Sequence, residues 1–310
     1  MWNKKIINAL KLIVLIFLIL FLFSKISINE FISSLSKINF FFLIIPILIS
    51  FIGVLISTLK WKNILNFYNI NESLRTLFKL YLMGSFYNNV LPSAIGGDIY
   101  KFYKLNKKFK NKKAILSSII LERGFGFLSL FLINIFILLF NFETIIKNST
   151  LFFIEIIILI INIIIFIFLF IKFDLRIIKK YNFFIKIFNI LDSVKSIKNK
   201  KNLIFFSLLM SIIFNLLSAF SLKFIFYGLG INVSLFSLIF VSVIIHFLSI
   251  IPISLNNIGI NESAYVFLFS FFGILPEISL LASLIGRSLL ILFSLTGGLI
   301  ILKEKLSIYF

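Results

Sequence analysis

Three stretches of this sequence, residues 6–23, 40–59 and 151–171, are apolar almost without interruption. About 20 apolar residues in a helix cross the roughly 30 Å hydrocarbon core of a bilayer. A strand or irregular segment could not replace the helix there, because its backbone polar groups would meet lipid with no partner. Composition agrees: 61% of the 310 residues are hydrophobic, too many for the mostly polar surface of a soluble domain. The chain therefore reads as an all-α polytopic membrane protein, with residues 1–310 forming a single integral membrane domain.

The formal net charge of +20 would point to nucleic acid in a soluble protein. Here the basic residues stand between apolar runs, the pattern of cytoplasmic loops facing anionic lipid, so no nucleic-acid partner is expected. The absence of cysteine removes disulfides, thiolate catalysis and iron–sulfur ligation. His246 is the sole histidine and sits in an apolar run, where it reads as a buried or interfacial side chain. No metal site, cofactor or catalytic residue is assigned. Residues 6–23 follow Lys4 and Lys5 as a secretory signal would, but Phe21-Leu22-Phe23-Ser24-Lys25 offers no small-residue cleavage site, so this run is read as an uncleaved first span.

The positive-inside rule orients the chain. Lys4, Lys5 and Lys11 place the N-terminus in the cytoplasm, and the nearly balanced connection 24–39 fits the outer side. The second span returns to a cytoplasmic group of Lys60, Lys62, Arg75 and Lys79. The next apolar stretch is short, is broken by Pro92, Gly96 and Gly97, and leads into a basic loop containing Lys101, Lys104, Lys107, Lys108, Lys110, Lys112 and Lys113. Basic flanks on both sides predict a re-entrant hairpin over 74–105. Residues 114–140 then cross outward, 141–150 form a short polar outer loop, and 151–171 return. Residues 172–201 are the largest polar segment, with apolar positions spaced for an amphipathic helix on the cytoplasmic leaflet or, equally, a solvated loop. Residues 203–226 cross outward to a turn at Gly228, Gly230 and Asn232, and a second broken region follows over 233–273. The span opening at Pro276 ends at Lys303 and Lys305, placing the C-terminus in the cytoplasm. The sum is about six full transmembrane helices and two oppositely oriented re-entrant helical hairpins. Eight simple spans satisfy the same charge pattern.

The two broken regions repeat one another. The first passes through Asn88, Asn89, Pro92, Ser93, Gly96, Gly97 and Asp98, and the second through Pro252, Ser254, Asn257, Gly259 and Glu262. Each runs apolar, proline, small polar residues, glycine, then one acid at the start of a resumed helix. Asp98 is followed by Arg123, and Glu262 by Arg287, at the same interval. Broken helices at matching positions of an inverted repeat are the sequence pointer to a transporter binding site. A resumed helix turns free N–H groups and a positive dipole end toward the break, a setting that favours phosphate. An arginine within a span needs anionic company. The structural alternative is that the acids and arginines form ion pairs, direct or crossed, that seat the hairpins without any ligand.

The sequence resembles the lysylphosphatidylglycerol synthase transmembrane family, also called the flippase-like domain family. The likeness covers nearly the whole chain. It rests on Asn89-Val90-Leu91-Pro92 with Gly96-Gly97-Asp98, on Leu121-Glu122-Arg123 with Gly126, on Pro252-Ile253-Ser254 with Gly259-Ile260 and Glu262, and on Arg287. Two positions depart: Lys101 stands where the family often has arginine, losing the bidentate fork for phosphate, and Asn257 stands where glycine is common, asparagine being the residue that best tolerates left-handed backbone otherwise. The resemblance implies a membrane domain that translocates polar lipids. The soluble aminoacyltransferase domain of the bifunctional members is not expected here, so the synthase activity is not carried over.

The first function is then a flippase-like protein for an anionic-headgroup lipid, either an aminoacylated phospholipid or a polyprenyl-phosphate-linked glycan. Arg123, Arg287 and the hairpin N-termini would hold phosphate, with Lys101 adding charge. Asp98, Glu122 and Glu262 would engage cationic or hydroxyl groups or couple to a proton. The second is a non-transporting accessory subunit of an envelope lipid or glycan pathway, partnered by a separate lipid- or glycan-modifying enzyme. A membrane-embedded transferase ranks third, because carboxylates without a histidine or metal cluster make a thin catalytic set. The expected location is the cell membrane.

Overall fold

The computed structural model describes residues 20, 24, 26–90, 95–170, 196–249 and 257–309. Outside these fall the first predicted span, the turn at Pro92, nearly all of segment 172–201, and the second break with Pro252 and Ser254. The described chain is helical: α1 (Ile28–Ser36), α2 (Phe41–Phe67), α3 (Leu74–Val90), α4 (Gly96–Phe109), α5 (Lys112–Ile146), α6 (Ser149–Phe170), a 3-10 turn at Ser196–Asn199, α7 (Lys201–Gly228), α8 (Leu235–Leu248), α9 (Ile260–Ser270) and α10 (Pro276–Tyr309). No strand occurs among the described residues.

Among the described residues, four helices are long and apolar enough to cross a membrane: Phe41–Phe67, Lys112–Phe140, Lys201–Gly228 and Pro276–Glu304. Their surfaces are inverted relative to a soluble helix. On α2, Phe41, Ile44, Leu48, Ile52, Leu55 and Leu59 are all exposed, and their spacing of three and four draws one apolar stripe down the helix. The opposite face buries Thr58, Lys60 and Trp61. Water would not tolerate so continuous an exposed apolar stripe, whereas lipid matches it. The protein is a multi-pass membrane protein.

The chain divides into two compact units. One comprises residues 1–53, 82–97 and 216–310. Its core is aromatic, with Phe226 against Phe269 at 4.9 Å and Phe51 against Phe293 at 4.8 Å between ring centroids. The Ser27 N–H, at the mouth of α1, donates to Glu277 Oε1 in the first turn of α10 at 2.8 Å. Glycine permits two close helix approaches. A Cβ on Gly97 would fall 2.5 Å from the Gly84 carbonyl oxygen, and one on Gly297 would collide with the Leu82 carbonyl. The Gly97 N–H, in the unsatisfied first turn of α4, donates to Asn88 Oδ1 at 2.6 Å, so the beginning of α4 lies against the end of α3.

The other unit comprises residues 54–81 and 98–215. Ile64, Leu121, Phe125, Ile197 and Leu203 make a buried cluster. Helices α5 and α6 pack against one another, joined by Lys147 and Asn148, with Asn148 Oδ1 capping α6 through the N–H groups of Thr150 (3.1 Å) and Leu151 (3.3 Å). Just before α3, the Glu72 carboxylate takes the Lys108 ammonium from the last turn of α4 at 2.7 Å. Burial alone would raise the pKa of this carboxyl, but the bonds from Lys108, the Ser73 N–H and Thr76 outweigh it and hold the group below the usual glutamate range.

Three sequence expectations change. Residues 141–146, read as an outer loop, continue α5 to Ile146, because neither proline nor glycine interrupts them and polar side chains alone do not end a helix. The basic stretch after Gly97 is mostly the helix α4 rather than a loop. The connection 24–39 contains α1, started by Ser27, whose Oγ accepts the Glu30 N–H at 3.5 Å.

Overpacking typically costs about 1–3 kcal/mol. Gly97→Ala and Gly297→Ala should therefore lower the thermal unfolding midpoint of the purified protein, whereas Gly126→Ala, with nothing within 4 Å of the added carbon, should hold or raise it.

Candidate functional site

Each compact unit holds one of the acid–arginine pairs that the repeat presents. In residues 54–81 and 98–215, the Arg123 Nε donates to Asp98 Oδ2 across the 25-residue interval. In the other unit, Arg287 Nε donates to Glu262 Oε1 at 2.6 Å across the same interval. The pairs are direct rather than crossed. Both acids stand in the first turn of their helices, Asp98 on α4 and Glu262 on α9, where the helix dipole favours negative charge. The arginines approach from the long helices α5 and α10.

Around Asp98 the cluster is larger than the motif. Lys101 lies one turn further along α4, with its Nζ 3.1 Å from Asp98 Oδ1 and 3.1 Å from Glu122 Oε2. The same ammonium sits over the rings of Tyr81, at 4.1 Å, and Trp61, at 4.7 Å, so aromatic faces complete its desolvated shell. The Tyr81 hydroxyl donates to Glu122 Oε1, and the Trp61 indole N–H donates to Ser118 Oγ at 3.1 Å. Lys60 enters from α2, its Nζ donating to Ser211 Oγ at 3.1 Å and, more weakly, to the Glu122 carbonyl at 3.4 Å. Lys60 has no carboxylate within ion-pair distance among the described residues. The cluster thus brings together three cations, Lys60, Lys101 and Arg123, and two carboxylates, Asp98 and Glu122. Lys60 and Lys101 are buried, whereas the Arg123 side chain is 45% exposed and is the accessible edge.

The second pair is built differently. Glu262 answers its own helix start, Oε2 accepting the Gly259 N–H at 2.6 Å, while Oε1 takes Arg287. Arg287 also donates to the Asn257 carbonyl at 3.2 Å, and Asn257 Nδ2 donates to the Ser249 carbonyl at 2.9 Å. Asn257 has φ +56° and Gly259 φ +84°, so asparagine does adopt the left-handed backbone expected of it there. One arginine therefore ties the end of the break to the helix that follows it.

Most of the sequence-derived residues are thus accounted for by position. Asp98, Lys101, Glu122 and Arg123 converge; Asn257, Gly259, Glu262 and Arg287 converge. Gly96 opens α4, Gly97 packs on Gly84, and Asn89 lies half-buried in the last turn of α3. The structure adds to the reading of two lysines. Lys60, placed with the cytoplasmic flank, is buried inside α2. Lys101, grouped with the topology-setting basic residues, is consumed by Asp98 and Glu122. Trp61, Tyr81 and Ser211 carried no motif at all. The one available signal was Lys60 itself, placed by helical spacing opposite the exposed stripe of α2.

Residues 8–298 match the family described as Lysylphosphatidylglycerol synthase TM region. The UPF0104 membrane protein MJ1595 of Methanocaldococcus jannaschii is 25% identical over 311 aligned residues, which cover 93% of this chain and 92% of that protein. No solved structure matches the chain at a significant level.

Removing one partner of a buried ion pair typically costs about 3–5 kcal/mol. Glu122→Gln, which takes a carboxylate from beneath Lys101, should lower the unfolding midpoint followed by tryptophan fluorescence. Lys60→Met removes a buried cation without a carboxylate partner and should leave that midpoint unchanged or higher.

Proposed function

The chain belongs to the lysylphosphatidylglycerol synthase TM family, and from that premise we propose that it translocates a lipid with an anionic headgroup across the membrane. The observation that carries the reading is the pair of acid–arginine contacts, Asp98–Arg123 and Glu262–Arg287, each at the start of a helix resumed after a break. A guanidinium in apolar surroundings must keep an anionic partner, and a phosphate oxyanion is an alternative partner of the same geometry and greater charge. A headgroup arriving at Arg123, the accessible edge of its cluster, can replace a carboxylate contact without stranding the arginine. Exchange of partners at either break gives a headgroup a station while its acyl chains stay in lipid. Aminoacylated phospholipids and polyprenyl-phosphate-linked glycans both carry the required phosphate, and the buried cations Lys60 and Lys101 add to the potential that attracts it.

The helices α3 and α4, of 17 and 14 residues, rise about 26 and 21 Å, short of a 30 Å core. Those lengths support a re-entrant hairpin over 74–105, with a counterpart of opposite orientation over 233–273. Lysine and arginine placement supports a cell-membrane location with both termini in the cytoplasm. The test of orientation is simple because the chain has no cysteine of its own. Asn148→Cys should react with a membrane-impermeant maleimide from outside intact cells, and Lys107→Cys only after the membrane is opened.

The transport test compares the intact protein with Arg123→Ala and Arg287→Ala in proteoliposomes, using chemically quenchable aminoacylated and polyprenyl-phosphate lipids. Charge-assisted hydrogen bonds contribute about 1.5–3 kcal/mol, so each substitution should slow headgroup crossing roughly ten- to hundredfold. If the intact protein accelerates no anionic lipid, transport is excluded. The pairs then remain as seats for the broken helices in an accessory subunit that partners a lipid- or glycan-modifying enzyme.

A further inference from the structure

Glu155 takes no part in either cluster and has the least expected surroundings of any acid among the described residues. It stands on α6, six residues beyond Ser149 and so about 9 Å into the helix. It is 1% exposed, and neither carboxylate oxygen has a hydrogen-bond partner among the described residues. Among the described residues no ion pair reaches it and no charge acts on it. Its α6 neighbours in sequence are apolar, Ile154, Ile156, Ile157 and Ile158 among them. Five titratable residues lie on α5, the helix packed on α6. Lys112 and Lys113 are exposed at its start, Glu122 and Arg123 belong to the cluster, and Glu143 is near its end. Lys147, in the connection, is exposed. An ionised carboxylate in such a place lacks every compensation that makes buried charge tolerable, whereas the neutral acid needs none of it.

A row of buried polar groups leads from the lysine cluster toward this helix pair. On α7, Ser211 accepts Lys60 and, one turn on, Asn215 Nδ2 donates to Ser129 Oγ of α5 at 2.7 Å. Further along α5, Asn134 is 1% exposed, and its Nδ2 has no partner. Buried polar atoms left open in this way are where bridging water is held. Glu122 and Ser129, seven residues apart, share one face of α5.

We propose that Glu155 is a proton-binding site, by which the protein couples lipid movement to a proton gradient. The coupling rests on the transport reading above; the proton site does not. Uptake of one proton converts the carboxylate to the neutral acid stable in this position, and release of that proton restores a charge that only rearrangement or hydration can accommodate. A carboxyl that must be neutral in one arrangement and wet in another is the element a proton-driven cycle requires.

The first arm uses the full chain in proteoliposomes with dicyclohexylcarbodiimide, which modifies protonated carboxyls in apolar surroundings, and maps adducts by mass spectrometry. Glu155 should be modified, less so as pH rises, and the infrared band of a protonated carboxyl should disappear in Glu155→Gln. Absence of both signals at Glu155 would overturn the proton site, and wild-type protein alone suffices for the mapping should the variant fold poorly. The second arm imposes a pH gradient. The wild type should move lipid faster under the gradient, and Glu155→Gln should lose that stimulation. A variant that keeps the full stimulation overturns the coupling. A wild type that moves no lipid at all overturns the transport reading and the coupling with it, and leaves the adduct map to decide the proton site by itself.

Discussion

A helix that stops and restarts in apolar surroundings leaves backbone donors and a dipole end that lipid cannot satisfy. The described structure meets this demand with side chains of its own. At α4 the Gly97 N–H is taken by Asn88, and Asp98 stands in the first turn. At α9 the Gly259 N–H is taken by Glu262. The acids this places at the helix starts then become the anions that two arginines on long helices require. Break, cap and ion pair are in this way one connected arrangement.

The two pairs share spacing and bond pattern but not surroundings. Glu262 spends one oxygen on its own helix and the other on Arg287, and the arginine spends a further N–H on the Asn257 carbonyl. The result is locally balanced. Asp98 instead shares Lys101 with Glu122, and Glu122 also accepts Tyr81. Lys60 sits in the same unit on hydroxyl and carbonyl oxygens alone. The first arrangement thus carries a cation without its own carboxylate among the described residues, whereas the second is balanced.

Polar side chains inside the unit that holds Asp98 are more numerous than seating the pair requires. Ser118, Ser129, Ser211 and Asn215 are each buried and each bonded to a side chain on another helix. Interhelical bonds of this kind contribute modestly to membrane protein stability, about 0.6 kcal/mol on average. Their alignment along α5 and α7, rather than their strength, is what distinguishes them from scattered helix-packing contacts.

Sequence alone determined the membrane class, the approximate positions of the long helices and the register of the repeat. Each follows from local chemistry: apolar length, glycine and proline as interruptions, and the equal interval from acid to arginine. The interval singled out Asp98, Arg123, Glu262 and Arg287, but direct and crossed pairing fitted it equally, and only the coordinates show the pairs to be direct. Tertiary structure decided the rest. Lys60 looked like one more member of a basic flank, and Lys101 like both a flank residue and a charge for phosphate, because charge in sequence does not reveal which face of a helix carries it. Only packing turned Lys60 inward and placed Lys101 between Tyr81, Trp61, Asp98 and Glu122. Glu155 likewise looked like one acid in an apolar run. Its isolation depends on what α5 sets against it, and that is a property of the assembled helices.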